Sequence, residues 1–415
     1  MCASFVVGIQ LARGLGPASY GIYGTAMAVV AVLMIPTELG LPQLVTREVA
    51  GTGRLGARAI LSWALKRIVI SSLLIVAVAG SAVMLLSEKI DPALRFALVA
   101  GFFWIPFVAI GNVFGATLRG LHWVVRGQLG EILVRPALMS ASLLFVSMLL
   151  AWQLTPQVAM GLNVVSAISA AVLGYIWLKA ALRADVPMGS RATIPPTLTF
   201  RQSMPIALTE GMRVLAGQIG VLILAFTAPD KAVGEYRVAI QVYAVLSMPS
   251  TLVNIGLAPM ISALHSQGEK EKTQRLNDWI SVFLVASSLA VFLAILLLGE
   301  RFIHLSFGDG YEIVYELLSI LLLGEIIISL FGHPIVYLNM VREQRAVMRR
   351  SALALGINAA IIACFAPVYG ALGAIYGTLA GMLLWRVSCA WYARRALGVS
   401  TSLVMRIVPP KCRAG

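Results

Sequence analysis

The sequence predicts an all-α integral membrane protein built as two sets of six helices, and three observations carry that reading. The chain of 415 residues is 59% hydrophobic and only 12% charged, with a mean hydropathy of +0.89, whereas soluble domains carry about 25% charge. Its apolar runs recur every 30 to 40 residues, and most reach the ~20 residues that cross roughly 30 Å of hydrocarbon as helix. A stretch near the start also returns 213 positions later without a gap.

That repeat runs from Gly21-Ile22-Tyr23 to Pro36 and again from Gly234-Glu235-Tyr236 to Pro249. Gly21/Gly234, Tyr23/Tyr236, Ala26/Ala239, Val29/Val242, Ala31/Ala244, Val32/Val245, Leu33/Leu246 and Pro36/Pro249 are identical pairs. Apolar helices converge on Ala, Val and Leu by composition. A matched Gly-x-Tyr entry and a matched Pro exit at one offset point instead to an internal duplication. Helical repeats inside one membrane chain are a feature of secondary transporters, whose substrate site lies between the halves.

Taken in order, the spans are Tyr20–Leu41, Ile68–Leu86, Leu94–Leu118, Leu133–Trp152, Val158–Leu178, Ile206–Ala228, Tyr236–Met260, Trp279–Leu298, Val314–Leu338, Ala352–Pro367 and Ala371–Trp391, eleven in all. Met1–Leu11 before them is apolar but short. With no basic region before it and no cleavage site after it, it reads as the last half of a first helix rather than a signal peptide, from a misplaced start or a truncated gene. Twelve helices then divide into an N-terminal bundle at 1–183, a cytoplasmic linker at 184–202, a C-terminal bundle at 203–395 and a basic cytoplasmic tail at 396–415. Gly 37 and Pro 18 suit packed, kinked membrane helices.

The net charge of +14 invites a nucleic-acid partner, but its placement excludes one. Alternate loops, such as those with Arg47, Arg54, Arg58, Lys66 and Arg67 or with Arg119, Arg126 and Arg135, hold 24 of the basic residues; the intervening loops hold 6. By the positive-inside rule the rich loops and the C-terminus face the cytoplasm, where they also meet anionic lipid headgroups. The basic, aromatic run Arg119-Gly120-Leu121-His122-Trp123-Val124-Val125-Arg126 reads as an interfacial anchor. Arg213 and Arg386 alone fall inside helices.

Soluble catalytic signatures are absent: no Walker lysine loop, nucleotide-binding glycine triad, His-Glu-x-x-His or nucleophile elbow. His122, His265, His304 and His333 are scattered, and Cys2, Cys364, Cys389 and Cys412 lack metal or redox spacing, so neither a metal nor a cofactor is expected. The informative residues are the polar ones at membrane depth, because ionised side chains there are costly and seldom face lipid. Glu210 and Arg213, three apart on one helix face, either line a cavity that meets an anionic substrate or form a local ion pair. Glu325, in an apolar stretch, is either a proton or sodium site or a hydrogen-bonded strut between helices. Glu38 lies at a helix end and reads as structural. Asn112, Asn163, Asn254, Asn339 and Asn358 link helices or bind sugar hydroxyls. Duplicated Pro36 and Pro249 are candidate hinges.

The run Leu11-Ala12-Arg13-Gly14-Leu15-Gly16-Pro17-Ala18-Ser19-Tyr20-Gly21-Ile22-Tyr23, followed by Glu38-Leu39-Gly40-Leu41-Pro42-Gln43 and Arg47-Glu48, resembles the opening of bacterial O-antigen and exopolysaccharide repeat-unit flippases. Val233-Gly234-Glu235-Tyr236 fits the same pattern. These flippases share a superfamily with multidrug and toxin extrusion antiporters and the lipid II flippase. The resemblance implies two six-helix bundles related by a pseudo-twofold axis along the membrane normal. It also implies passage of undecaprenyl-pyrophosphate-linked oligosaccharides between leaflets of the bacterial inner membrane by alternating access, with an H+ or Na+ gradient as driver. Arg213 would then meet the pyrophosphate or acidic sugars, beside a polysaccharide polymerase and glycosyltransferases as partners, and the chain would not be an enzyme. The competing readings are a cation-coupled multidrug antiporter, which favours acidic cavity residues; a membrane-bound polymerase or ligase, which calls for a long outward loop absent here; and a nonfunctional remnant.

Overall fold

The computed structural model describes residues 2–149, 154–183, 200–267, 269–341, 343–398 and 401–402. Most of the expected linker, and the tail beyond residue 402, lie outside the described residues. Among the described residues all regular structure is helical, as the uniform apolar runs require. The chain divides into two compact units, Met1–Ala225 and Phe226–Gly415.

The first unit holds α1 (Cys2–Glu38), α2 (Leu41–Leu85), α3 (Pro92–Gly120), α4 (Val124–Leu129), a π turn (Gly130–Val134), α5 (Arg135–Leu149), α6 (Pro156–Arg183) and α7 (Phe200–Thr227). Helix α3 is its hub and packs against α1, α2 and α6. Asp91 starts α3 by accepting from Ala93 N at 2.7 Å, and Pro92 occupies the first turn, where its missing N–H costs nothing. Leu44, Val45, Val49, Ile60, Ala64 and Ile68 of α2 are fully buried against Ala109, Val113 and Ala116 of α3. Helix α7 belongs to this unit, and Gly211 lies against Ile35 of α1.

Two long helices are broken at glycine. Gly16 (φ 74, ψ 167) interrupts α1 and Gly53 (φ 62, ψ −156) interrupts α2. The partial helix expected at Met1–Leu11 runs on as helix from Cys2 to Leu15 and leads through Gly16 directly into the repeat-bearing segment.

The second unit comprises α8 (Asp230–Leu246), α9 (Met248–Ser266), α10 (Lys270–Phe307), α11 (Ile313–Ser329), α12 (Pro334–Met340), α13 (Gln344–Tyr369) and α14 (Ala371–Leu397). The expected span Tyr236–Met260 is interrupted at Ser247, and Val314–Leu338 is a broken span bent by 49° between α11 and α12. Nine helices among the described residues are long and apolar enough to cross a membrane, or ten with the bent pair. Counting the segments of α1 separately and joining α8 to α9 gives the twelve-span arrangement in two units. Pro36 lies three residues before the positive-φ pair Leu39–Gly40, and Pro249 is the second residue of α9. Both duplicated prolines therefore sit at helix junctions.

Helices α13 and α14 form a hairpin through Gly370 (φ 54). Gly373, Gly377 and Gly381, four apart on α14, face Phe365, Ile362 and Asn358 of α13. A Cβ at Gly373 would stand 2.5 Å from the Phe365 carbonyl group. Small residues of this spacing let membrane helices approach to backbone contact, because lipid supplies no hydrophobic force between them. Gly373→Val is expected to destabilise the folded chain by about 2 kcal/mol or more, read as a lowered melting temperature in detergent; the neighbouring Gly370, at positive φ, gives a second sensitive position.

Candidate functional site

The polar residues at membrane depth fall into matched pairs. Tyr23 and Tyr236, partners in the repeat, are both buried, and each bonds a polar residue on the last helix pair of its unit. Asn163 of α6 donates to the Tyr23 hydroxyl, and the Tyr236 and Thr378 hydroxyls of α8 and α14 share a hydrogen bond of 2.9 Å. The duplication thus extends from sequence to bonding pattern.

A second correspondence is a carboxylate in each unit. Gly111-Asn112 of α3 and Gly324-Glu325 of α11 stand at the same offset of 213. In the first unit Asn112 Nδ2 donates to Glu38 Oε1 at 2.6 Å, tying α3 to the end of α1. In the second, the acid is on α11: Tyr243 of α8 donates to Glu325 Oε2 at 2.5 Å, and Ser250 of α9 donates to Oε1 at 3.0 Å. Ser250 is the repeat partner of Thr37, next to Glu38. The carboxylate and its donor have exchanged helices between the halves, while the link between the same two helices is kept. Glu325 is 6% exposed, so both oxygens need such donors.

The break between α11 and α12 adjoins this cluster. Gly332 adopts φ 63 and His333 opens α12. Arg386 of α14 donates through one terminal nitrogen to the Gly332 carbonyl at 2.8 Å and lies 2.9 Å from His333 Nδ1. An arginine has no acceptor, so Nδ1 accepts and the proton of a neutral ring belongs on Nε2, which has no partner among the described residues. Ser402 donates to the Leu330 carbonyl at 3.2 Å, and Thr401 and Ser402 are buried here. Arg386 also stands within electrostatic range of Glu325 and Tyr243.

Glu210 and Arg213 form the ion pair their spacing implied, Oε2 to Nε at 2.8 Å, on α7 of the first unit. Arg213 is 75% exposed, so it is available to whatever that face meets. Glu325 belongs to the second unit. Arg386, His333, Tyr243 and Ser250 were missed as a set because they are distant in sequence; an arginine inside an apolar helix was the available signal. Among the described residues no group of acids, histidines and cysteines could hold a metal.

Arg386→Met removes the donor that satisfies a carbonyl at a broken helix. A loss of about 2 to 3 kcal/mol of stability is expected, against about 1 kcal/mol for Tyr236→Phe; paired thermal melts in one detergent compare them.

The fold is shared with known transporters. The chain is similar to a multidrug resistance MATE family transporter of the MOP superfamily in its inward-facing conformation, at 14% identity and TM-score 0.73 over 98% of this chain and 96% of that one. It is also similar to lipid II flippase MurJ in an inward closed conformation, at 11% identity and TM-score 0.72 over 95% and 85%. A third similar structure is a Pyrococcus furiosus MOP superfamily transporter described by a binding pocket of reverse polarity, at 16% identity and TM-score 0.61 over 96% and 92%. No curated protein matches the chain by sequence. Residues 1–265, more than half of this multi-pass helical membrane protein, match the family described as polysaccharide biosynthesis protein, and the chain belongs to that family.

Proposed function

We propose that the chain flips lipid-linked oligosaccharide repeat units, carried on undecaprenyl pyrophosphate, across the bacterial inner membrane by alternating access for surface polysaccharide synthesis. The observation that supports this most is the family match over residues 1–265 on a fold shared with a lipid flippase. Physics makes the task plausible. A pyrophosphate and a polar glycan face a large barrier in lipid, whereas the polyprenyl tail can stay in the bilayer while the head passes through a polar path. No covalent bond changes, so a transporter and not an enzyme is required. The C-terminus would face the cytoplasm, with polymerase and glycosyltransferases as neighbours.

In this reading Arg213, steadied by Glu210, meets the anionic head. Glu325 takes up the coupling H+ or Na+, and the junctions at Pro36 and Pro249 flex between states. A second reading, a cation-coupled multidrug antiporter, is favoured by the similarity to a MATE transporter together with the buried Glu325.

The test is complementation of a strain lacking its polysaccharide flippase, with protein level monitored. The chain restores surface glycan in the expected outcome, and Arg213→Ala lowers it about tenfold, the scale of one lost charge-assisted hydrogen bond. Absence of rescue by well-expressed protein across several glycan types would favour the antiporter.

Glu325→Gln keeps the hydrogen-bonded link to Tyr243 and Ser250 but cannot ionise. A coupling role predicts that Gln abolishes gradient-driven transport in proteoliposomes with the melting temperature changed little. Gradient-driven transport at the unmodified rate in the Gln variant would make Glu325 a strut.

A further inference from the structure

The first unit contains a cleft that the sequence reading dissolved into a cytoplasmic loop. It lies among α3, α4, the π turn, α5 and α6, and its polar lining is Asn112, Arg119, Arg126, Glu131 and Arg135. Its volume is about 40 Å³, several times the roughly 10–15 Å³ that one water needs on the same measure. Three guanidiniums line it with one carboxylate, Glu131, and the Glu38 carboxylate lies behind the lining residue Asn112. Glu131 makes no ion pair within 4 Å among the described residues, so the cleft keeps an excess of positive charge.

The three arginines are graded in depth. Arg126 lies two residues inside the Val124–Ser147 span, its guanidinium 4.5 Å from the Trp123 ring. Arg119, near the end of α3, donates to the Gly127 carbonyl at 3.1 Å, where Gly115 and Gly127 bring α3 and α4 to backbone contact. Arg135 is the twelfth residue of that 24-residue span, about 17 Å in from its start at 1.5 Å per residue. Its guanidinium lies 5.4 Å from the Trp104 ring and has no hydrogen bond or ion pair among the described residues. Glu131 and Glu38 reach it only through space, and a charge at the middle of a membrane span that is held by no direct ion pair is costly and commonly marks a functional site.

The π turn aims this arginine. Gly127, Glu131 and Arg135 all line the cleft at intervals of four, and in an α-helix each interval rotates the next residue by about 40°. The wider π turn between Gly130 and Val134 takes up part of that rotation and keeps Arg135 on the face of Gly127.

We propose that this cleft binds a phosphate-class anion, with Arg135 as the inner anchor, Arg119 and Arg126 toward the mouth, and the π turn as the element that sets their common face. Arginine suits such a ligand because its planar fork meets phosphate oxygens in pairs. That the anion is the head of the transported lipid rests on the flippase reading; that the cleft holds phosphate does not.

The experiment titrates the full-length chain in neutral detergent with inorganic pyrophosphate, farnesyl pyrophosphate and dioctanoyl phosphatidylglycerol, by calorimetry and by tryptophan fluorescence. At least one probe is expected to bind, with Arg135→Gln weakening it at least tenfold, Arg126→Gln about threefold and Arg135→Lys falling between. Deleting Ile132, which converts the π turn to an α turn, should match Arg135→Gln. Preference for farnesyl pyrophosphate identifies a polyprenyl head, equal binding of phosphatidylglycerol identifies a bilayer phospholipid, and inorganic pyrophosphate as tight as either identifies the free anion; each supports the site. If Arg135→Gln fails to fold, Arg126→Gln, whose side chain is exposed, carries the test. Binding of no probe, or equal binding by the unmodified chain and the folded variants, overturns the proposal. Failed complementation with intact, arginine-dependent binding would remove the flippase reading and leave the site standing.

Discussion

A backbone in hydrocarbon must satisfy its own polar groups, and the rest of this structure depends on that requirement. Unbroken helices meet it by themselves. Wherever the chain departs from helix inside a span, another segment must supply the missing partner. At Gly332 the freed carbonyl takes the Arg386 guanidinium, and at Leu330 it takes the Ser402 hydroxyl. The break is therefore held by α14 and by Ser402, which makes Thr401 and Ser402 part of the second unit's core. It also explains why a cation stands inside an apolar helix. Arg386 has two neutral acceptors at the break and lies near Glu325, so its charge is solvated by the protein.

Duplication then explains why the two units use similar frameworks with different chemistry. The tyrosine links of Tyr23 and Tyr236 preserve the original helix contacts. The acid has not stayed in place: Glu38 ends α1, whereas Glu325 occupies the position of Asn112. Either arrangement joins the same two helices, so packing alone does not choose between them. Glu325 receives two hydroxyl donors from two helices, whereas Asn112 supplies Glu38 with one. The halves are alike as scaffolds and unlike as electrostatic environments, as a transporter needs if one half is to respond to an ion and the other is not.

Helix class, span positions and the repeat were legible in the sequence because each is a statement about composition or identity along the chain. The break at Gly16 had a local signal in the Gly16-Pro17 step, whereas Gly53 is one of three glycines in Gly51–Gly56 and only its positive φ singles it out. The polar sites were legible in part. Glu210 and Arg213 share a helix face and pair within one turn, which spacing alone shows. The partners of Glu325 lie 75 and 82 residues away, and no local pattern announces them.

Arg135 shows where counting charges by loop fails. Hydropathy places a span at Leu133 because the preceding residues mix Gly, Gln, Glu and Arg, and so consigns Arg135 to the cytoplasmic edge. The helix in fact starts at Val124, and the same mixed residues form its polar face toward the cleft. A stretch that looks like a loop by mean polarity becomes a transmembrane face once periodicity is allowed to widen at a π turn, because Gly127 lets α3 approach to backbone contact while charged residues line the cleft. The excess of basic residues that sets topology and the few arginines that can meet a ligand are thus drawn from one pool. What marks Arg135 among them is its depth along the helix, with Glu131 and Glu38 acting on it only through space and not in a direct ion pair.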